Sequence, residues 1–311
     1  MDMRIVALGS GGVGGFYGGL MAAAGSAEVA FVARGAHLAA MREKGLTIER
    51  DDGRPLVHVP KVEVVEDAAS LGRADLVLIA VKLADTAAAI EAARPLVERG
   101  AAVLSLQNGV TKDDALRAAF GDGAVIGGVA YVGSHIGRPG VIAQTGAMQR
   151  MVVGEYGPDP SSPRVEALVA AARAAGIDAE VPPDIAVAIW QKFVFLSGFS
   201  AATAAARMPI GPIRSDPHAR AFLRGLIEEA VAVGRAKGVA LPADAVETAM
   251  ARVDTVSPDM TSSLHHDVEA GRKLELPWLA GAVAEMGEAL GVPAPCSGAV
   301  RAVLGPRVRG R

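Results

Sequence analysis

The chain has 311 residues, of which 51% are hydrophobic and only 4% are aromatic. This length favours two domains over one, and the composition predicts a core rich in Ala, Val and Leu, which suits helices packed on a sheet. The formal net charge is -3 and Lys and Arg are scattered, so nothing indicates nucleic-acid binding. The single cysteine, Cys296, excludes an internal disulfide and a thiolate zinc cluster.

Two features bear on the expected location of the protein. The N-terminal segment MDMRIVALGSGG runs directly into a strand pattern, without the basic, apolar and small-residue succession of a secretory signal peptide. The longest apolar segment, residues 185–206, is interrupted by Gln191 and Lys192 and lacks anchoring flanks. We therefore expect a cytoplasmic protein that neither binds nor spans a membrane.

A glycine-rich motif directly follows the first predicted strand, residues 4–8. The motif consists of Gly9, Ser10, Gly11, Gly12, Val13 and Gly14, and a helix-compatible stretch comes after it. In this G-x-G-x-x-G context Gly9 permits a tight turn, Gly11 lets the backbone approach a pyrophosphate, and Gly14 lets the helix pack close to the strand. The motif predicts a bound dinucleotide at the helix N-terminus; the alternative is a glycine turn without a ligand.

The second predicted strand, residues 28–33, is followed directly by Arg34. A site specific for NAD usually places Asp or Glu at this point, about 20 residues after the glycines. A guanidinium suits the 2′-phosphate of NADP(H) instead, because it donates paired, charge-assisted hydrogen bonds. We therefore predict NADP(H) as the cofactor, with a solvated surface arginine as the alternative.

Two polar residues follow buried strand patterns further along the chain. Lys82 comes after the apolar run of residues 75–81, and Asn108 comes after the run of residues 101–106. Because ligands in open α/β sheets bind beyond the carboxyl ends of the strands, both are candidates for the cofactor crevice. Asn108 also offers a donor and an acceptor to a nicotinamide or a substrate. The alternative for either residue is a role confined to its own turn.

The strand-containing pattern stops at Pro182 and Pro183. A proline pair cannot continue a sheet ladder but suits the start of a helix. We therefore predict an α/β protein with an N-terminal Rossmann-type dinucleotide-binding domain, residues 1–182, followed by an all-helical C-terminal domain, residues 183–311. After the first long helix, the predicted helical segments are residues 216–238, 242–253, 257–271 and 277–290.

The first helix of the second domain, residues 185–206, is apolar on every face and carries one charge, Lys192. An isolated ammonium in an apolar wall must be paired, lose its proton readily or open onto a polar cavity. Two of these outcomes describe an active-site lysine. In the alternative, the side-chain stem lies along the core and the amine reaches solvent.

The segment TSSLHHDVEAGRKLELPW contains further candidates. Ser263 and Asp267 are four residues apart and share a helix face, and Glu275 lies between two leucines, where a carboxylate needs a partner. His265 and His266 are adjacent and face different directions, so we interpret them as surface residues and predict no metal site.

Taken in order, these residues resemble the ketopantoate reductase (2-dehydropantoate 2-reductase) family over nearly the whole chain. The resemblance rests on GSGGVG with Arg34, Val81 and Lys82, the QNG at residues 107–109, IWQK ending at Lys192, and SSLHHDVEAGRKLEL. It implies the NADPH-dependent reduction of a small-molecule 2-keto acid. The expected substrate is ketopantoate, which is reduced to pantoate in pantothenate and coenzyme A biosynthesis.

The resemblance also implies the roles of individual residues. The lysine matching Lys192 protonates the new alkoxide, and the glutamate matching Glu275 helps to hold the substrate and takes part in catalysis. The serine matching Ser263 binds the substrate carboxylate, and Asn108 and Ser200 are further expected substrate contacts. A homodimer formed through the helical domain is implied by the resemblance alone.

The chain departs from the family pattern at Leu196 and Ser200, where asparagines are usual on the helix face of Lys192. Fewer amide donors favour a more apolar 2-keto acid, which is the main alternative to ketopantoate. A second alternative is a related β-hydroxyacid dehydrogenase, against which Arg34 and the Glu275 segment argue. A third is a non-catalytic NADP(H) sensor, which would have no need of Lys192 and Glu275.

Overall fold

The computed structural model describes residues 3–310, which divide into two compact units. The first unit extends to Gln107 and includes Lys112–Ile185. The second comprises Asn108–Thr111 and the residues from Ala186 onward, so a short loop of the N-terminal half groups with the helical unit. The linear boundary between residues 182 and 183 stays a prediction.

The first unit is built on a ten-stranded sheet. Its strands are β1 (Arg4–Leu8), β2 (Glu28–Val32), β3 (Leu46–Arg50), β4 (Val57–Val59), β5 (Glu63–Val65), β6 (Leu76–Ile79), β7 (Ala102–Ser105), β8 (Val125–Arg138), β9 (Val141–Gly154) and β10 (Asp178–Glu180). Its helices are α1 (Gly12–Ala24), α2 (Gly35–Lys44), α3 (Thr86–Val97), α4 (Thr111–Phe120) and α5 (Pro163–Ala174).

Six of these strands form the parallel part of the sheet, in the order β5-β2-β1-β6-β7-β8. This order reverses direction between β1 and β6, which is the topological switch point where doubly wound sheets bind ligands. The predicted Rossmann-type fold is therefore confirmed, and the carboxyl ends of β1 and β6 mark the expected ligand crevice.

Side chains of β1 alternate between two hydrophobic cores, one on each face of the sheet. Ile5 and Ala7 pack in the same core as Phe16 of α1. Val6 and Leu8 belong to the opposite core, which includes Ala93 and Leu96 of α3. Because helices cover both faces, the central strands are apolar at consecutive positions, as the sequence pattern predicted.

The remaining strands extend the sheet beyond β8. Strands β8 and β9 form a long antiparallel hairpin, and β3 and β10 each pair in parallel with β9. Strand β4 pairs antiparallel with β3 at the edge. Residues 125–154 therefore extend the sheet on this side.

The second unit is helical. Its helices are α6 (Ile185–Ala206), α7 (Ile210–Ser215), α8 (Pro217–Ala236), α9 (Ala245–Thr255), α10 (Ser263–Glu269), α11 (Ala280–Leu290) and α12 (Pro295–Leu304), of which α6 starts at the last residue of the first unit. By length and composition alone, α6 is the one helix among the described residues that would be able to cross a membrane, and 67% of its apolar window is buried within the protein. Its apolar surface therefore serves as core.

The start of α10 differs from the predicted helix over residues 257–271. The helix begins only at Ser263, because the Ser262 side chain accepts a hydrogen bond from the backbone N–H of His265 and so caps the N-terminus. Residues 257–262 instead contact the start of α7, where Gly211 N–H donates to the carbonyl of Pro258. The short helix α7 has no counterpart among the predicted segments.

A buried carboxylate holds the N-terminus of α12. Glu229 of α8 is 7% exposed and accepts hydrogen bonds from the backbone N–H groups of Cys296, at 2.6 Å, and Ser297, at 2.8 Å. Burial, together with the negative charge of Glu229, raises the pKa of the Cys296 thiol to about 11. The thiol is therefore protonated at neutral pH, and Glu229 joins two helices that are distant in sequence.

We predict that Glu229→Ala lowers the free energy of unfolding by about 2 to 4 kcal/mol, because two charge-assisted hydrogen bonds are lost and two buried N–H groups stay unpaired. Urea unfolding measures the effect. The matched control is Glu228→Ala, since Glu228 is exposed and pairs with Arg224 on the same helix. An equal loss in both variants would contradict the capping role.

Candidate active site

The three motif glycines occupy positions with different geometric demands. Gly9 directly follows β1 with φ +98°, a conformation that favours glycine. A Cβ atom on Gly14 would lie 2.3 Å from the carbonyl oxygen of Gly9, so only glycine allows α1 to pack this close to the turn. A Cβ atom on Gly11 would meet nothing within 4 Å. The turn therefore presents an open backbone surface at Gly11 and close packing elsewhere.

A cavity of about 530 Å³ opens at this turn, at the carboxyl end of β1. Its lining includes Gly9, Ser10, Gly11 and Arg34. Gly12, Val13 and Gly14 lie behind it in the first turn of α1. Because backbone N–H groups at a helix N-terminus and a guanidinium share one cavity, the residues fit a dinucleotide with a phosphorylated ribose.

A histidine outside the predicted site residues supports the glycine turn. His37 of α2 is buried, and its Nε2 lies 2.9 Å from the carbonyl oxygen of Ser10. Its Nδ1 accepts a hydrogen bond from the backbone N–H of Gly140, so the Nε2–H group is the donor to Ser10. Burial lowers the pKa of His37, which keeps the ring neutral at neutral pH.

Lys82, unlike Gly9, Gly11 and Arg34, does not line the cavity at the glycine turn. It is exposed and precedes a short 3₁₀ turn, Leu83–Asp85, at the carboxyl end of β6. The residues that line the glycine cavity include Asp85 and Val81 but not Lys82. A cofactor-binding role for Lys82 stays a prediction.

Lys192 and Asn108 are hydrogen-bonded in the second unit. The Nζ atom of Lys192 lies 2.8 Å from Oδ1 of Asn108, and both side chains are half-buried. Because an ammonium only donates, the amide must present its oxygen to the lysine, which leaves its NH₂ group on the other side. Of the outcomes expected for a lysine in this apolar helix, pairing with a polar side chain is the one observed.

The loop that carries Asn108 starts from a buried glutamine. Gln107 donates from Nε2 to the carbonyl oxygen of Val81, at 3.1 Å, and to Oγ1 of Thr86, at 2.9 Å. Its Oε1 accepts a hydrogen bond from the hydroxyl of Ser105. Gln107 therefore ties the end of β7 to the end of β6. The sequence marked this residue only as part of the QNG resemblance.

The other predicted site residues of the second unit have contrasting environments. Leu196 is half-buried one helical turn after Lys192, whereas Ser200 is fully buried and its Oγ finds no hydrogen-bond partner among the described residues. Ser263 is exposed at the start of α10, and Glu275 is half-buried directly before the 3₁₀ turn Leu276–Trp278. Their functional roles stay predictions.

One side chain near Ser263 differs from expectation. His265, predicted to be a surface residue, is half-buried, and its Nδ1 lies 3.0 Å from the carbonyl oxygen of Thr203. The hydroxyls of Thr203 and Ser262 are hydrogen-bonded at 2.9 Å, so α6 and the cap of α10 pack closely. Within residues 3–310, no group of three His, Cys, Asp or Glu side chains is arranged to hold a metal ion.

The doubly wound sheet, the glycine turn with its arginine, and the amide-paired lysine together define a nucleotide-dependent oxidoreductase of the α/β class. Sequence models of one family match both halves of the chain. The model described as ketopantoate reductase PanE/ApbA matches residues 5–158, and its C-terminal counterpart matches residues 184–307. The chain belongs to the ketopantoate reductase family, whose members use NADPH.

Individual relatives agree with this assignment. The 2-dehydropantoate 2-reductase of Mesorhizobium japonicum is 30% identical, with 97% of each chain covered. That of Halobacterium salinarum is 31% identical, with 91% of each chain covered. The crystal structure of a PanE/ApbA family ketopantoate reductase from Ralstonia eutropha has 32% identity and a TM-score of 0.87 over 98% of each chain. A D-mandelate dehydrogenase, at 17% identity and a TM-score of 0.86, shares the fold.

We predict that Arg34→Ala weakens NADPH binding by about 1.5 to 3 kcal/mol and leaves NADH binding nearly unchanged, because only NADPH carries the 2′-phosphate. Titration of both cofactors by fluorescence or calorimetry measures the difference. The control is Arg42→Ala, at the other end of α2. Equal losses for the two cofactors in Arg34→Ala would refute the assignment of this residue.

Proposed function

We propose that the protein catalyses the NADPH-dependent reduction of a 2-keto acid, with ketopantoate as the first candidate substrate and pantoate as its product. The observation that carries the proposal is the hydrogen bond from Lys192 to Asn108 in a chain that also has the glycine turn and Arg34. In this family context, a lysine held by an amide is suited to act on a substrate carbonyl.

Each residue has a defined part in the proposed chemistry. When bound, NADPH supplies the hydride that adds to the carbonyl carbon. Lys192 donates a hydrogen bond to the carbonyl oxygen, stabilises the negative charge that grows there, and transfers a proton to it. Asn108 orients the ammonium by accepting one of its three N–H bonds. We assign Ser263 to the substrate carboxylate and Glu275 to substrate binding and catalysis, by resemblance to the family.

A more apolar 2-keto acid is the second candidate substrate. Leu196 is half-buried one turn from Lys192 and offers no hydrogen bond, whereas Ser200 is fully enclosed. Both features reduce the hydrogen-bonding capacity available to a hydroxylated substrate. A D-mandelate dehydrogenase that was solved in complex with NADH and anilino(oxo)acetate has the same fold as this chain.

Three further properties belong to the proposal. A homodimer is proposed because a Staphylococcus aureus ketopantoate reductase with the same fold is described as dimeric, at 18% identity. A cytoplasmic location is proposed from membership of the family alone. Residues 1–182 are proposed as the NADP-binding domain and residues 183–311 as the substrate domain.

The direct test of the proposal is NADPH oxidation measured with ketopantoate and with 3,3-dimethyl-2-oxobutanoate, which lacks only the hydroxyl group. Turnover of either acid supports a 2-keto acid reductase, and the ratio of the two kcat/KM values identifies the preferred substrate class. Absence of turnover with these and other 2-keto acids, in a protein that binds NADPH, would favour the non-catalytic sensor.

We predict that Leu196→Asn raises the kcat/KM ratio of ketopantoate to 3,3-dimethyl-2-oxobutanoate by about tenfold or more, because an amide at this position supplies a hydrogen bond for the hydroxyl group. Gln191→Asn, which changes an exposed side chain of the same helix, is the control. Ser200→Asn should chiefly lower the melting temperature, since its position is fully enclosed. An unchanged ratio in Leu196→Asn would exclude Leu196 from the substrate pocket.

We predict that Lys192→Ala lowers turnover by about 10²- to 10⁴-fold and leaves NADPH affinity nearly intact, as expected for the loss of a positioned acid. Lys192→Arg should not restore turnover, because a guanidinium holds its proton too tightly and has a different shape. Steady-state kinetics and thermal melts of Lys192→Ala and Lys192→Met measure both effects. A folded variant with near-normal turnover would remove Lys192 from the mechanism.

A further inference from the structure

The loop that carries Asn108 is closed by a buried lysine. Lys112 is 2% exposed, and its Nζ donates to the carbonyl oxygen of Ser105, at 3.0 Å, and to that of Gly128, at 3.3 Å. The third N–H group of Lys112 donates to Oδ2 of Asp113, at 2.7 Å. All three N–H groups of this ammonium therefore have partners, and the bond to Ser105 connects the end of β7 directly to the first turn of α4.

The carboxylate that neutralises Lys112 is held in turn by a tyrosine. Asp113 is 3% exposed, and the same Oδ2 accepts a hydrogen bond from the hydroxyl of Tyr156, at 2.8 Å. Burial, together with the negative charge of Asp113, raises the pKa of Tyr156, so the phenol stays protonated and donates. The second carboxylate oxygen, Oδ1, has no hydrogen-bond partner among the described residues.

Stability alone does not account for this buried ion pair. The mutual attraction of a buried pair is offset by desolvation, and an unpaired carboxylate oxygen adds a further cost. Replacing such a pair by apolar side chains of similar volume is often neutral for stability. What the pair provides is geometry: a fixed distance between the two ends of the loop from Ser105 to Lys112.

The distance between the two ends of this loop matters because the loop carries Asn108. Gln107, just before Asn108, is fixed by its bonds to Val81 and Thr86, and Gly109, just after it, takes a φ of +86°. Lys112 then fixes the chain four residues after Asn108. Asn108 therefore sits in a tight loop held at both ends by buried side chains, with its amide oxygen on the ammonium of Lys192.

We propose that Lys112, neutralised by Asp113, is a positioning residue for the active site: it holds the loop so that Asn108 orients the Lys192 ammonium. Lys112 itself touches neither substrate nor cofactor in this proposal. The proposal rests on the proposed function, in which Lys192 is the proton donor.

The test uses the full-length variant Lys112→Met/Asp113→Asn, which removes both charges and leaves an acceptor for Tyr156. We expect kcat to fall by about 10- to 100-fold, the usual effect of a displacement of about 1 Å at a reacting group, with the Kd of NADPH unchanged within about threefold. Glu229→Ala is the control, since it destabilises the fold through α8 and α12 without touching the loop. A folded double variant with wild-type kcat would overturn the proposal.

A second measurement does not depend on the substrate. The rate of Lys192 acetylation by acetic anhydride, followed by mass spectrometry across pH, gives the protonation midpoint of its amine. Loss of a well-placed Asn108 acceptor should lower that midpoint by about half to one pH unit in the double variant. This readout stays valid even if the wild-type enzyme reduces no 2-keto acid. An unchanged midpoint in the double variant overturns the proposal, and a lowered midpoint supports it.

If the double variant fails to fold, Lys112→Met/Asp113→Leu/Tyr156→Phe replaces the whole polar cluster by apolar groups and leaves no buried charge. The same two measurements then apply to the triple variant. A lowered midpoint and a reduced kcat support the positioning role, whereas wild-type values for both contradict it.

Discussion

The hydrogen bond between Lys192 and Asn108 is the interaction on which the proposed chemistry depends. A lysine in an otherwise apolar helix has few stable arrangements, because an unpaired ammonium is expensive to bury. An amide oxygen is a suitable partner, since it accepts a hydrogen bond from the ammonium. The pairing therefore fixes the direction of the amine.

The sheet supplies the other requirement, a place for the cofactor. Parallel strands deliver their following loops to one edge of the sheet, and the order of β1 and β6 leaves a crevice there. The glycine turn, with an open face at Gly11, and Arg34 line that crevice together. His37 and Gln107 add no chemistry of their own, but each ties a loop at this edge to a neighbouring element. The candidate cofactor-binding turn and the loop of Asn108 are thus tied to neighbouring elements by buried polar side chains.

Local patterns in the sequence predicted much of this structure. The limits of α6, the tight turn at Gly9 and the close packing at Gly14 follow from spacing and backbone sterics within short windows. No local pattern predicted the contacts of His37 with Gly140 or of Lys112 with Gly128. The partners in each pair are far apart along the chain, and neither glycine belongs to a recognisable motif. For the same reason His265 was wrongly predicted to be a surface residue: its environment depends on the packing of α10 against α6.

A double-mutant cycle on turnover tests the central claim most directly. It compares kcat for the wild type, Asn108→Ala, Lys192→Met and the variant with both changes, each checked for folding and NADPH binding. If the two residues act as one unit, the double variant should be about as slow as Lys192→Met alone, so that the two effects are far from additive. Fully additive losses would contradict the account, because the amide would then act independently of the lysine.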